Sequence, residues 1–234
     1  MGTRDEMGEH TETAVALRAP EVDCTTPPRR SLADSQMRLH RRPAGLGLEV
    51  YTGRAVVVIL AGALQTPEII LRHEIDLADP WVRESMHPYH QELGDRGAAG
   101  EHARRRGCAA ARQASSGALR RLVGEMRRHG LEPARATVIA SSRPHPARAL
   151  GAHARAHAEE RQLYREAAEA ALRACGLRVV TIGANALRAT APNRLGRERH
   201  DLDAALKAFS HKVGTPWRAP EKHAALAAWL ALSP

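Results

Sequence analysis

Aromatic side chains make up only 3% of the 234 residues (three Trp, three Tyr, one Phe). A core built on large rings is therefore excluded, and stacking of nucleic-acid bases on side chains has little to draw on. Cysteine is equally scarce: Cys24, Cys108 and Cys175 are isolated and odd in number, so neither a disulfide framework nor a cysteine zinc site is supported. The longest apolar run, Ala55 to Leu64, is too short to span a bilayer. The opening MGTRDEMGEH has no basic n-region and no apolar h-region, which predicts no secretory signal and a cytoplasmic protein away from membranes. No G-x-x-x-x-G-K-[ST], G-x-G-x-x-G or G-x-S-x-G occurs, so nucleotide-triphosphate hydrolysis and serine-hydrolase chemistry lack a motif.

Lysine is nearly missing too. Of 35 basic residues only Lys207, Lys212 and Lys222 are lysine, and the formal net charge is +9. Arginine in such excess is the composition of a GC-rich genome. It is also the better phosphate ligand, so the balance fits an anionic partner such as nucleic acid. Residues 1–36 are acidic on balance, poorly periodic, and broken by Thr25-Thr26-Pro27-Pro28. They are expected to be a disordered extension, with the folded domain spanning residues 37–234 and carrying the positive charge.

The hydrophobic share, 43%, is ample for a core of Leu, Val, Ile and Ala. Strands are predicted over Leu46–Tyr51, over the β-branched Arg54–Leu60, and over the partly alternating Glu68–Leu77, joined by short turns into an antiparallel meander. A Pro/His/Gly-rich connector runs to about Gly100. A long helix over Glu101–His129 follows, with Cys108, Ala111, Leu119, Leu122, Val123 and Met126 as its apolar stripe. Then come a strand over Ala136–Ala140, a helix over Ala147–Cys175, a strand over Leu177–Ile182, a basic and poorly periodic stretch, and helices near Leu202–Phe209 and Pro220–Leu232. Right-handed crossovers place strands 4 and 5 parallel to strand 1, beyond its free edge. The expectation is an α/β fold with a mixed five-stranded sheet of order 3-2-1-4-5, strand 2 antiparallel, and helices on both faces.

That order, together with Leu46-Gly47-Leu48-Glu49 on the first strand, resembles the ribonuclease H-like superfamily and, within it, the Holliday-junction resolvases of the RuvC type. Those enzymes carry Asp at the end of strand 1, where this chain has Glu49. Their second acid, at the end of strand 4, falls here on Ser141 or Ser142, and the acids of the last helix fall on Glu221 and His223. The resemblance implies Glu49 and Glu221 as catalytic residues and as ligands of Mg²⁺ or Mn²⁺. It implies a nucleic-acid partner and admits a homodimer. Two hard cations about 3.5–4 Å apart need three or four converging carboxylates, and serine is a poor substitute for one. The expected protein therefore binds nucleic acid with an altered or inactive nuclease site. An active metal-dependent endonuclease and a non-catalytic scaffold are the alternatives.

A replacement ligand set stands on the helix after strand 4. His153 and His157 are separated by four residues and Glu160 by three more, so all share a face. With Glu49 and Glu221 they complete the candidate metal ligands. Imidazoles on consecutive turns suit zinc better than magnesium, but Ala154 occupies the position where a metalloprotease signature has Glu, and with 13 histidines in the chain zinc ranks below the hard cations. Extending the stripe of Leu163, Ala167, Ala170 and Ala174 backwards places Ala149, Ala156 and Glu160 near the buried side, with His153 on the stripe and His157 at its edge. His87 and His90, in MHPYH, are either at the sheet edge or in a loop. Arg104, Arg105 and Arg143, with Ser141 and Ser142 at a strand-to-helix turn, are the candidate phosphate contacts.

Overall fold

The computed structural model describes residues 41–94, 97–140 and 151–233. The expected extension over residues 1–36, and Ser141, Ser142 and Arg143, lie outside the described residues. Strands β1 (Arg42–Tyr51), β2 (Arg54–Ala63) and β3 (Thr66–Asp76) form the meander. After a single 3₁₀ turn (Arg83–Ser85) come helices α1 (Pro88–Gly94) and α2 (Ala98–Arg128), strand β4 (Leu131–Ala140), helix α3 (Ala152–Ala174) and strand β5 (Arg178–Gly183). Helices α4 (Ala184–Leu195), α5 (Arg199–Val213) and α6 (Ala219–Ala231) follow. The sheet order is β3-β2-β1-β4-β5, with β2 antiparallel to β1 and β3, and β4 parallel to β1 and β5. This is the expected α/β arrangement, a mixed five-stranded sheet of order 3-2-1-4-5 with helices on both faces.

Two apolar layers follow from strand alternation. Leu46, Leu48 and Val50 of β1, with Val57 and Ile59 of β2 and Val138 of β4, pack under α2 and α3 through Leu119, Val123, Leu163 and Leu172. Val56, Val58 and Leu60 of β2, with Ile139 of β4, pack under α4, α5 and α6 through Leu187, Leu206, Phe209 and Trp229. Gly45, Gly47 and Glu49 alternate with the first set and face α6. A Cβ on Gly47 would lie 1.9 Å from the Ala224 carbonyl oxygen, and one on Gly45 2.1 Å from that of Ala228. Here the helix backbone rests directly on the strand backbone, running back along β1 from Glu49 toward its start. The first turn of α6 is thereby set beside the carboxylate.

Several expectations are corrected. The basic stretch after β5 is helix α4, whose buried Leu187, Ala191 and Leu195 recur every four residues. The connector after β3 contains α1. Strand β4 begins at Leu131 rather than Ala136: its register against β1 shifts between Ala44 and Gly45, and this irregularity accommodates Pro133. On α3 the buried stripe runs through Ala156, Glu160, Leu163, Tyr164, Ala167, Ala168, Ala171 and Leu172. His153, Ala170 and Ala174 are exposed, because the buried arc follows the row Glu160, Tyr164, Ala168 and Leu172 and its neighbours rather than passing through them; Ala149 lies outside the described residues. No described helix is long and apolar enough to cross a membrane.

Candidate functional site

The residues named from the sequence fall into separate groupings. Glu49 lies at the carboxyl end of β1, where its Oε2 is 3.0 Å from His223 Nδ1 on α6. The Tyr51 hydroxyl donates to Glu49 Oε1 at 3.0 Å. Burial pushes the Tyr51 phenol well above its ordinary value, and the Glu49 carboxylate adds to the rise, so the hydroxyl stays protonated and donating. Around the pair opens a cavity of about 330 Å³ lined by Glu49, Tyr51, Ile139, Arg161, Arg188 and His223, among others. Arg161 comes from α3 and Arg188 from α4, and among the described residues neither is ion-paired.

Glu221 does not join them. It is 4% exposed, accepts from Arg72 of β3 at 2.9 Å, and accepts from the Arg218 backbone N–H at 2.7 Å, closing the first turn of α6 in the manner of a capping box. Burial raises its carboxyl, but the hydrogen bonds from Arg72 and the Arg218 N–H outweigh this and hold it below its ordinary value. Both oxygens are therefore committed to holding the helix start and the sheet together.

The cleft at β1 does not fit the two-cation site that the family resemblance implies. Beside Glu49 stands an imidazole, and Glu221 is turned to Arg72. Residues 141–150, which follow β4 in the sequence, contain no Asp or Glu. One carboxylate with one imidazole falls short of the oxygen donors that paired Mg²⁺ ions demand.

His153, His157 and Glu160 form a different centre, together with His87 and His90 from the segment around α1. Glu160 is fully buried, and its Oε1 lies 2.7 Å from His90 Nδ1, its Oε2 3.0 Å from His87 Nδ1. His90 Nε2 is 3.1 Å from His153 Nδ1, and His153 Nε2 is 3.2 Å from His157 Nε2. Partial burial, with the neighbouring His90 and His153 rings, holds His157 below the ordinary imidazole value against the opposing pull of Glu160. The helical spacing of 153, 157 and 160 was the visible half of this cluster. Its other half is 63 to 73 residues away in sequence and carried no signal beyond histidine content.

Arg104 pairs with Glu92 at 2.8 Å and lies over the Tyr89 ring, 5.7 Å from its centroid. Arg105 pairs with Glu101 at 3.7 Å one turn away. Both are thus engaged within α1 and α2, and the unpaired guanidiniums beside Glu49, Arg161 and Arg188, are ones the sequence did not single out.

No family model and no curated protein sequence matches the chain. Among solved structures it is similar to RuvC of Thermus thermophilus (8% identity over 80% of this chain and 92% of that one, TM-score 0.47). It is also similar to the same protein in complex with a Holliday junction substrate (9% identity, 82% and 92% covered, TM-score 0.49). A Ppx/GppA family member of Aquifex aeolicus is 15% identical over 64% of this chain and 39% of that chain, with a TM-score of 0.32. At these identities the likeness concerns the fold.

Proposed function

We propose that this protein binds nucleic acid through the cleft at the end of β1 and that the cleft is an altered nuclease site which holds the phosphate backbone without hydrolysing it. The observation that carries the reading is the spending of Glu221 on Arg72. It removes the second carboxylate and leaves Glu49 and His223 flanked by the guanidiniums of Arg161 and Arg188, which have no ion-pair partner among the described residues. Guanidinium groups match phosphate oxygens in geometry and keep their charge at any working pH, and the chain's net charge of +9 favours encounter with a polyanion.

Within this reading each residue has a stated task. Arg161 and Arg188 take phosphate oxygens from opposite walls of the cavity. His223 sets its ring against the phosphate, and Glu49, held by Tyr51, orients that ring. The experiment is equilibrium binding of duplex and branched DNA and of RNA across a salt series. Affinity is expected to fall steeply with salt, and Arg161→Ala and Arg188→Ala are each expected to reduce the slope of log K against log salt by about 1. No cleavage is expected in Mg²⁺ or Mn²⁺. Cleavage that vanishes in Glu49→Gln overturns the non-hydrolytic reading in favour of a metal-dependent endonuclease. Absent or salt-insensitive binding leaves a scaffold.

A further inference from the structure

We propose that His90, His153 and His157 form a zinc site, with Glu160 as the buried carboxylate that orients it, separate from the cleft at Glu49. Glu160 is fully buried, and among the described residues its charged partners are all imidazoles: His87, His90 and His157. A carboxylate removed from water needs compensating positive charge close by, and no arginine or lysine among the described residues supplies it. The compensation must come from protons on the rings or from a cation held by them.

Spacing points to the cation. His90 Nε2 lies 3.1 Å from His153 Nδ1, and His157 Nε2 lies 3.2 Å from the opposite nitrogen, His153 Nε2; nitrogens so close do not meet as bare lone pairs, and a single ion draws on only one of the two His153 nitrogens. With Zn–N bonds of about 2.0–2.1 Å, ligand atoms at tetrahedral corners lie roughly 3.3 Å apart. One ligand atom from each of His90, His153 and His157 falls within 4.8 Å of the others, so rotation of the rings that turns one His153 nitrogen to both partners closes the set. The tautomer is prepared as well. Glu160 accepts from His90 Nδ1–H at 2.7 Å, which leaves His90 Nε2 as a lone pair aimed at His153, in the carboxylate–histidine–metal relation that raises ligand basicity. Three imidazoles and no free carboxylate select a late divalent ion over Mg²⁺ or Ca²⁺. Three protein ligands leave a fourth position for water or an added ligand on the exposed side of His153. The ion would tie α1 to the start of α3.

The inference does not depend on the nucleic-acid reading. The test is zinc titration by calorimetry of the full chain, stripped with chelator and free of any histidine tag, with Co²⁺ absorption reporting geometry. One equivalent is expected, with tetrahedral cobalt bands and a Tm increase of about 5–10 °C at a zinc concentration 100-fold above Kd. His153→Ala and His157→Ala, at accessible positions on α3, are each expected to weaken binding by about 100-fold. Glu160→Gln is expected to cost about 10–100-fold while leaving one equivalent bound. Glu49→Gln is expected to change nothing, since Glu49 pairs with His223 at the other centre. Zinc affinity no better than about millimolar, affinity unaltered in both histidine variants, or displacement by equimolar Mg²⁺ overturns the proposal.

Discussion

Gly47→Ala is expected to cost about 3 kcal/mol or more, a large share of the roughly 5–15 kcal/mol that holds a domain folded. The added methyl would sit 1.9 Å from the Ala224 oxygen and 2.4 Å from the Ala228 nitrogen. Both are main-chain atoms of a buried helix and cannot swing aside as a side chain would. Relief requires α6 to lift from β1, pulling Leu226 and Trp229 out of the layer they share with Phe209 and Leu206. Ordinary overpacking costs about 1–3 kcal/mol, and here the displaced object is an entire helix. Gly94→Ala, where the new methyl meets nothing within 4 Å, is the control and should stay within about 0.5 kcal/mol. Urea unfolding midpoints of the two variants against the parent measure the difference, and near-equal midpoints would show that α6 does not rest on the strand as described.

The second large effect is expected at Arg72. Replacing it with Met leaves the Glu221 carboxylate in its buried position without the cation 2.9 Å away, a loss of about 3–5 kcal/mol. Adding Glu221→Gln should recover much of that loss, because the stranded charge is then gone. The pH dependence has a definite sign. In the parent, burial pushes the Glu221 carboxyl up, but the hydrogen bonds from Arg72 and Arg218 prevail and hold it below its ordinary value. Its contribution to stability is therefore present above the unfolded value of about 4.3 and is lost as pH falls through the lower folded value. In Arg72→Met burial is left to dominate, the folded carboxyl rises, and protonation in mild acid relieves the variant. Thermal unfolding from pH 7 down to pH 3 should show the gap between the two proteins narrowing. A constant gap would mean that Arg72 acts through its stem packing alone.

The sheet order was readable because its causes are local or topological. Ala55–Leu60 is too β-branched for anything but a strand, the turn at Thr52-Gly53 is two residues long, and the handedness of crossovers leaves one place for β4 and β5. Helix α4 escaped notice because its repeat of Leu187, Ala191 and Leu195 is spread among Arg, Thr and Asn and interrupted by Pro192. The site divides along the same line. Glu160 on the buried side of α3 follows from periodicity, and the pair His153–His157 from spacing. The placement of Glu49 beside α6 followed from family resemblance rather than from any local rule. The partners that decide what these residues do, Arg72 for Glu221 across 149 positions and His87 and His90 for Glu160 across 73 and 70, are products of tertiary packing. Nothing in the linear pattern distinguishes Arg72 from the other arginines.

With no side-chain layer between β1 and α6, the main chain alone fixes how far apart the two walls of the cleft stand. Distances across most interfaces drift as packing residues are exchanged, but the offset between positions 49 and 223 is set by carbonyls lying on glycines. Substitutions at those two positions can therefore alter the chemistry of the cleft, from acid pair to acid and imidazole or to neutral groups, while the scaffold stays where it was. A side chain at Gly45 or Gly47 shifts that offset, whereas an exchange at 49 or 223 leaves it in place.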